Sequence, residues 1–326
     1  MKASGLLCLV ALASLLHLGG CASTRTHTRQ PAAKKTRITE PEIIALPDGR
    51  RMAVHHFGDP HGSPLLVFHG WPSDGSLGAL LDEAARRHHL HIFAPDRPGI
   101  GRSDSLPHRT FADWPADVRA ITAHFGIRKF ALLGISGGSP YALATARAMP
   151  GRITACAIVS GAPPLDNSDD ANMMPADFRK LLRMQHSHPG MVRFGFRAAH
   201  SVIPLLPEAW LHPSLRKLVP PDRAMYDDPQ IKAILTGSGR RSFSGSRDGV
   251  HDDAILYTVP WSFDPAEIRT TVEFWHGEED IIFPPALIQK FATHLLHTRI
   301  HIVTREGHYS LPVNRADAIL APLAAR

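Results

Sequence analysis

The sequence predicts an α/β fold in which a mostly parallel sheet is flanked by helices and interrupted by a helical insertion. Short apolar runs alternate with helix-like segments over residues 37–164 and again over 262–326, which is typical of a parallel sheet wrapped on both faces. The runs are apolar at almost every position, as in strands that are buried on both sides. Residues 165–261 lack such a series of runs and are therefore expected to form a separate, helical segment.

Eight apolar or alternating runs are predicted strands. The turn sequence LPDG at 46–49 is typical of a hairpin between the first two. The strands are expected at Arg37–Ile44, Arg51–His56, Leu65–Phe68, Leu90–Ala94, Phe130–Leu133, Ile153–Val159, Val272–Trp275 and Ile300–Val303. Core helices are expected at 77–87, 114–125, 138–148, 285–296 and 313–324.

The insertion 165–261 carries helical patterns near 175–186, 190–202 and 222–235. It follows the sixth predicted strand, so it can overhang the carboxyl ends of the strands, where open parallel sheets bind ligands. Met173, Met174 and Phe178 are candidate apolar contacts for a substrate, because methionine and aromatic side chains line irregular apolar spaces. An independent helical domain with no role in the site remains the alternative.

Composition is that of a globular protein and excludes several functional classes. Apolar residues make up 44% of the 326 residues and charged residues 20%, which excludes a disordered chain or a coiled coil. Three cysteines are too few for a disulfide scaffold, and Cys156, in an apolar run, is expected to be a buried thiol. Five of the 36 basic residues fall within 1–36, leaving 31 against 30 acidic residues. Five of the six net positive charges therefore belong to the N-terminal segment, and no nucleic-acid partner is expected.

The first 36 residues are predicted to be a targeting signal followed by a tether. Lys2 precedes an apolar stretch that is shorter than the ~20 residues needed to span a bilayer. The stretch ends in the sequence LGGC at 18–21, which resembles a bacterial lipoprotein signal. That resemblance implies a signal peptide over 1–20, lipid on Cys21, and attachment to a bacterial membrane, with the outer membrane expected, facing the periplasm or the exterior. An ordinary secretory signal or an uncleaved anchor is the alternative.

Residues 21–36 are predicted to be a flexible basic tether. They contain almost no large apolar side chain, so they cannot bury enough surface to offset the entropy of ordering. Their four basic residues could also interact with anionic lipid, since each is worth about 1 kcal/mol near such a surface. A solvated linker whose charges have no partner is the alternative.

The segment GISGG at 134–138 contains the candidate nucleophile, Ser136. It fits the pattern G-x-S-x-G between a predicted strand and a predicted helix, where a sharp turn needs glycines beside the serine and exposes its hydroxyl. In any other setting the pattern is weak, and a glycine-rich connection with a capping serine would explain it.

A serine nucleophile needs a general base and an acid that orients the base. His308 follows the last predicted strand, and Asp280 follows the strand before it. The chain order serine, aspartate, histidine is the order in which such a triad occurs on this kind of sheet. Glu278 and Glu279 are nearby rivals for the acid, and Asp166, after the sixth strand, is a further one.

Five motifs in order give the chain a clear resemblance to the α/β-hydrolase superfamily over residues 38–326. The motifs are HGWP at 69–72, DRPGIGRS at 96–103, SGGSPYAL at 136–143, WHG at 275–277 with Asp280, and GH at 307–308. The resemblance implies an α/β-hydrolase fold with a helical cap, an acyl-enzyme on Ser136, and no cofactor. It also implies an oxyanion hole formed by the backbone N–H groups of Trp71 and Gly137. Esterase-like and proline-iminopeptidase-like branches share these motifs.

The expected function is hydrolysis of a small-molecule carboxylic ester. An aminopeptidase is the alternative within the class, and it would need acidic residues in the cap, for which Asp248, Asp252 and Asp253 are candidates. A non-catalytic, ligand-binding lipoprotein is the alternative outside it. No phosphate-binding G-x-x-x-x-G-K motif, HExxH or paired CxxC occurs, so neither a nucleotide nor a metal site is predicted.

Overall fold

A single eight-stranded sheet forms the centre of the protein. The computed structural model describes residues 38–166, 168–207 and 217–324. The strands are β1 Glu42–Ala45, β2 Arg51–Gly58, β3 Ser63–Phe68, β4 Leu90–Pro95, β5 Phe130–Ile135, β6 Ile153–Val159, β7 Val272–Gly277 and β8 Thr298–Val303. Their order across the sheet is β1-β2-β4-β3-β5-β6-β7-β8.

The sheet is parallel except at one edge. Strands β1 and β2 pair antiparallel, and β2 pairs antiparallel with β4. The remaining neighbours, from β4 through β8, are all parallel. The β1–β2 turn closes at Gly49, which has a φ of +87° that glycine adopts without steric cost. The predicted fold class, a mostly parallel sheet with helices on its faces, is confirmed.

Twelve α-helices occur in the described residues. They are α1 Asp82–Arg87, α2 Trp114–His124, α3 Ser139–Ala148, α4 Ser168–Asn172, α5 Ala176–Ser187, α6 Pro189–Val202, α7 Pro220–Ala224, α8 Pro229–Ser242, α9 Gly249–Leu256, α10 Pro285–Ala292, α11 Leu311–Asn314 and α12 Ala316–Ala324. None of the described helices combines the length and hydropathy that a bilayer crossing requires.

Two apolar layers cover the two faces of the sheet. Along β3, Leu66 and Phe68 belong to a layer shared with α2, α3 and α10. Leu65 and Val67 point the other way, into a layer shared with α1 and α12. Because successive residues of a strand alternate between faces, burial on both sides requires a continuous apolar run. That requirement accounts for the uninterrupted apolar sequence of the central strands.

Element boundaries differ from the sequence-based prediction in two informative places. The predicted helix 77–87 begins as a 3-10 helix over Gly75–Leu81 and becomes α-helical only at α1. A Cβ on Gly78 would lie 2.9 Å from the Phe57 ring, so this segment packs too closely on β2 for a larger residue. Strand β5 runs two residues further than predicted and ends immediately before Ser136.

The described part of 165–261 consists of helices α4 to α9. The predicted helix near 222–235 is two helices, α7 and α8, separated by the 3-10 turn Met225–Asp227. Helix α9 was not predicted, because the glycine and aspartates at its start have low helix propensity. The N-terminal signal, Cys21 and the tether lie outside the described residues.

Candidate active site

Ser136 occupies a strained turn directly after β5. Its φ is +51°, a left-handed conformation that is costly for a residue with a side chain. The turn is tight on both sides, since a Cβ on Gly138 would lie 2.0 Å from the Phe68 carbonyl oxygen and one on Gly134 would lie 3.0 Å from the Ala142 Cβ. The glycines let β5 and α3 pass closely, and the serine is held at the carboxyl edge of the sheet.

A chain of two hydrogen bonds joins Ser136 to His308 and Asp280. His308 Nδ1 lies 2.8 Å from Asp280 Oδ2, and His308 Nε2 lies 2.9 Å from Ser136 Oγ. Because a carboxylate only accepts, Nδ1 carries the proton and donates a hydrogen bond to Asp280, which leaves Nε2 as the acceptor for the Ser136 hydroxyl. The three side chains come from the loops after β5, β7 and β8, as their sequence positions require.

Asp280 is buried and held in place by the backbone of its own loop. Its Oδ1 accepts hydrogen bonds from the N–H groups of Ile282 at 2.8 Å and Phe283 at 3.0 Å. His276 Nε2 donates to the Phe283 carbonyl oxygen at 2.6 Å and lies 3.3 Å from Asp280 Oδ2. Burial would raise the pKa of Asp280, but the charge of His308 and its hydrogen bond lower it below the usual value. Asp280 is therefore a carboxylate at neutral pH.

The rival acids do not reach His308. Glu278 and Asp166 are exposed, and Glu279 is half-buried, whereas Asp280 alone of these four bonds to the imidazole.

Burial would lower the pKa of His308, but the charge of Asp280 and its hydrogen bond raise it above the ordinary value of 6.5. The pair thus favours a protonated imidazole once a proton arrives.

Trp71 and Gly137 lie next to one another beside Ser136. A Cβ built on Gly137 would lie 3.0 Å from the Trp71 Cβ, and one built on Gly70 would lie 3.3 Å from the Ser136 Cβ. The Trp71 indole donates to the Val250 carbonyl oxygen of α9 at 3.0 Å. Tyr257 donates to the Gly137 carbonyl oxygen at 2.7 Å. Val250 and Tyr257, which both follow β6 in the sequence, thus hold the segments of Trp71 and Gly137 beside the serine.

A fully buried arginine supports the loop that contains Gly70 and Trp71. Arg97, 1% exposed, donates from its guanidinium to the carbonyl oxygens of His69 and, at 2.9 Å, Gly70. Its charge is matched by Asp253 of α9, 0% exposed, with Nη2 and Oδ2 2.8 Å apart. Burial and the charge of Arg97 lower the pKa of His69 to about 3, so His69 is neutral.

Two further groups complete the cluster around Asp253. Arg109 donates to its Oδ1 at 3.1 Å, and the Tyr141 hydroxyl donates to the same oxygen. Burial would raise the pKa of Asp253, but Arg97 and Arg109 lower it below the usual value. Asp253 is therefore ionised, and both of its oxygens already accept hydrogen bonds from Arg97, Arg109 and Tyr141. It is not available to bind a substrate amine.

The other acids proposed for amine binding also have partners. Asp248 forms two-pronged ion pairs with Arg193 and Arg197, whose hydrogen bonds and charges hold its pKa well below the usual value. Asp252 lies 3.2 Å from His251 Nδ1. None of the three aspartates lines the cavity that contains Ser136 and His308. The predicted anionic patch is thus not assembled by these residues.

The Ser136 hydroxyl opens into an apolar cavity of about 230 Å³ between the sheet edge and helices α5 to α9. Its lining residues in the described chain include no aspartate or glutamate. Besides His308, the described lining contains one basic side chain, Arg240, which donates to the Pro204 carbonyl oxygen. Met174 and Phe178 contribute to the lining. Met173 does not, and the expectation for it was wrong: it is 43% exposed, because the next residue along a turn points in a different direction.

One cluster of described residues has the composition of a metal site. The ligand atoms of His55, Asp74 and Asp96 lie within 4.8 Å of one another. Asp96 already accepts from the N–H groups of Gly75 and Arg102, and Asp74 accepts from the Arg241 guanidinium. These hydrogen bonds hold the loops after β3 and β4 together, which explains the cluster without an ion.

Two positions that shape the site carry no sequence signal for their role. Arg97 lies inside the motif DRPGIGRS, but nothing in the sequence shows that its partner is Asp253, 156 residues later. Asp222, on α7, accepts from the backbone of His308, 86 residues away. A lone aspartate in a helical segment carries no local pattern that would identify it.

Comparison with known proteins defines the class of this molecule. The sequence profile of the alpha/beta hydrolase fold family matches residues 63–314, more than half of the chain. The chain therefore belongs to the alpha/beta hydrolase family of enzymes.

Individual proteins of known name share a modest fraction of the sequence with this chain. The chain is 26% identical to a non-heme haloperoxidase from Rhodococcus erythropolis over 86% of this chain and 97% of that protein. It is 32% identical to a proline iminopeptidase from Xylella fastidiosa, but over only 34% of this chain and 36% of the length of that enzyme. The solved structure of an esterase from a Rhodococcus species superposes with a TM-score of 0.62 at 18% identity, covering 88% of this chain and 99% of the esterase.

Proposed function

We propose that the protein is a serine hydrolase of carboxylic esters that works through an acyl-enzyme. The observation that carries the proposal is the hydrogen-bonded chain Asp280–His308–Ser136, with its serine hydroxyl facing an apolar cavity. The direction of these two hydrogen bonds supports proton transfer from the Ser136 hydroxyl to His308 Nε2, because Nδ1 already donates to Asp280. A non-catalytic binding protein would have no need of a strained serine held in this arrangement.

The reaction proceeds in two halves. Ser136 Oγ forms a bond to the acyl carbon while its proton passes to His308 Nε2, and the carbonyl electron pair moves onto oxygen. The intermediate collapses by breaking the bond to the alcohol oxygen, which receives the proton from His308. Water then attacks the acyl-enzyme, gives a proton to His308, and releases the acid as Ser136 regains its proton. Asp280 stabilises the imidazolium in both halves.

The backbone N–H groups of Trp71 and Gly137 are assigned to the developing oxyanion. Their proximity to each other and to Ser136 supports the assignment. Removal of one such donor typically costs about 3 kcal/mol of transition-state stabilisation. The hydrogen bonds from Arg97 to the Gly70 carbonyl oxygen, and from the Ala162 N–H to the Ser136 carbonyl oxygen at 3.0 Å, would keep both peptide units oriented before the substrate arrives.

The cavity favours an ester with an apolar acyl group over an aminoacyl substrate. A free substrate amine is cationic at neutral pH and needs a nearby anion, but the described lining contains no acidic side chain. The similarity to a proline iminopeptidase covers about a third of the chain. An apolar group, in contrast, gains free energy from every methylene that it buries there.

Substrate preference can be tested on the lining. We expect kcat/KM of the wild-type protein to rise with acyl length by up to fourfold per carbon, since a buried methylene is worth about 0.8 kcal/mol. Met174→Ala and Phe178→Ala should flatten that dependence, because both side chains line the cavity. The measurement is kcat/KM over p-nitrophenyl esters of increasing length, with prolyl-p-nitroanilide as the aminoacyl substrate.

Met173→Ala is the matched control for these variants. It removes the neighbouring methionine, which is exposed and outside the cavity, and it should leave the length profile unchanged. Prolyl-p-nitroanilide turnover that exceeded ester turnover would favour the aminopeptidase instead. An equal drop for every ester in all three variants would mean that the cap affects stability and not selection.

The N-terminal segment supports a second part of the proposal, that the protein is an exported lipoprotein. The junction LGGC at 18–21 carries this part, with lipid on Cys21 and cleavage before it. A tether of about 15 residues would reach roughly 20 Å from the membrane surface. We expect the outer membrane to be the location, facing the periplasm or the exterior, with the ester-binding cavity close to a lipid surface.

Cys21→Ser should release the protein from the membrane fraction. Once the short apolar segment is removed, attached acyl chains are the remaining strong anchor, and more than one chain is needed for stable binding. The measurement is fractionation of cells followed by mass spectrometry of the N-terminal peptide, with Cys156→Ser as the control because that thiol is buried in the core. An unmodified Cys21, or a mature chain that starts at Met1, would exclude the lipoprotein.

A further inference from the structure

One carboxylate of the helical insertion 165–261, here called the cap segment, accepts hydrogen bonds from three successive backbone N–H groups in the loop after β8 that contains His308, here called the histidine loop. Asp222, on α7, is 1% exposed. Its Oδ2 lies 3.0 Å from the backbone nitrogen of His308, and its Oδ1 lies 2.9 Å from the backbone nitrogens of both Tyr309 and Ser310. A buried carboxylate with three N–H donors is a strong local constraint, because each of these bonds involves a charged acceptor.

The residue before the histidine is shaped to admit this carboxylate. A Cβ on Gly307 would lie 2.5 Å from the Asp222 Cγ and 2.5 Å from its Oδ1, closer than any side chain allows. The Gly307 nitrogen donates instead to Ser310 Oγ at 2.8 Å. The core holds the same loop from the opposite side, where Ser160 Oγ donates to the His308 carbonyl oxygen at 3.0 Å. Core and cap thus fix the two sides of one peptide segment.

We propose that Asp222 is a positioning residue that places His308 for proton transfer, so that the cap segment holds the catalytic base as well as the substrate. This inference rests on the function proposed above. Asp222 does not touch the reacting atoms; it acts through the backbone of His308. Tyr226, at the other end of the same short segment, lines the cavity, so this part of the cap contacts both the substrate space and the histidine loop.

The negative charge of Asp222 should also stabilise the protonated imidazole of His308. The titratable groups that face His308 are Asp280, Asp222, His276 and Tyr309. Asp280 makes the larger contribution to the raised pKa of His308, and Asp222 adds to it. Burial raises the pKa of Asp222 itself, and its three N–H donors oppose that rise because they stabilise the charged form.

Asp222→Asn separates positioning from simple packing. The amide keeps the shape but presents an NH₂ group to one of the three donors, and it removes the negative charge. We expect kcat on a short, soluble p-nitrophenyl ester to fall about ten- to a hundredfold, as for a misplacement of catalytic groups by about 1 Å, with KM within about twofold. The acid limb of kcat/KM should move to lower pH, because a charge that stabilises the imidazolium is gone.

Asp228→Asn is the matched control. Asp228 is also a cap aspartate whose carboxylate accepts from backbone nitrogens, those of Gln230 and Ile231 at the start of α8, but it is exposed. The same substitution there should leave kcat and the pH profile unchanged. Asp222→Glu keeps the charge on a longer side chain and should restore the position of the acid limb while recovering only part of kcat.

The outcomes are distinct. A wild-type protein with no ester hydrolysis, or an activity that survives Ser136→Ala, would overturn the proposed function itself. Normal wild-type activity, with Asp222→Asn matching Asp228→Asn in both kcat and pH profile, would overturn the role of Asp222 alone. So would a parallel loss of kcat and melting temperature in Asp222→Asn with an unmoved acid limb, because that pattern describes a packing residue.

Discussion

Ser136→Ala is expected to abolish ester hydrolysis and to leave the fold intact. The substitution deletes one hydroxyl from a half-exposed turn, and the side-chain bond that it removes, among the residues that the structure describes, is the one to His308 Nε2. Residues of a catalytic triad act as a unit, so removal of the proposed nucleophile should lower kcat by several orders of magnitude, on the order of 10⁴ to 10⁶. The measurement is steady-state hydrolysis of a soluble p-nitrophenyl ester, beside circular dichroism and the melting temperature.

Ser139→Ala, one helical turn away, controls for the loss of a hydroxyl in the same region. Ser139 Oγ is buried and donates to the Ala162 carbonyl oxygen at 2.6 Å, without contact to His308. Its removal should lower stability by about 1 kcal/mol and change kcat far less than Ser136→Ala does. If Ser136→Ala retained hydrolysis near the wild-type rate, the assigned nucleophile would be wrong.

The second large effect is expected at the buried ion cluster. Asp253→Ala leaves Arg97 and Arg109 without their carboxylate in a site from which water is excluded. Removal of one partner from a buried ion pair typically costs about 3–5 kcal/mol, because the remaining charge is uncompensated. We therefore expect a large fall in the free energy of unfolding, measured with urea. Activity should fall with it, because Arg97 also holds the His69 and Gly70 carbonyls beside the candidate oxyanion hole.

Asp248→Ala provides the comparison for that variant. Asp248 also pairs with two arginines, Arg193 and Arg197, but at the surface, where solvent screens the charges. It should change the unfolding free energy little and leave kcat/KM unchanged. A stability loss of equal size in both variants would mean that burial does not decide the energetics of these clusters.

The fold was predictable because its signal is local. Burial of the sheet on two faces demands apolar runs, and each run of β3 to β8 is visible in the sequence before any partner is known. The places of Ser136, Asp280 and His308 follow from the same rule, since each lies in the loop after a recognisable strand. Their proximity in space then follows from parallel strands that end at one edge of the sheet.

The supports of the site were not predictable, because they depend on distant pairs. Arg97 with Asp253 and Asp222 with His308 join residues that are 156 and 86 positions apart. Such pairs are set by how the cap segment sits on the core, which periodicity does not encode. Met173 illustrates a shorter-range failure, because a shift of one residue at a helix end decides whether a side chain lines the cavity or faces solvent.

The central claim, an acyl-enzyme on Ser136, is tested most directly by covalent labelling with a fluorophosphonate probe and peptide mapping by mass spectrometry. The wild-type protein should carry one adduct, on the peptide that contains Ser136, and Ser136→Ala should carry none. His308→Ala should be labelled far more slowly, because the hydroxyl has lost its base. An adduct on a different residue, or no adduct on a folded protein that hydrolyses esters, would contradict the mechanism.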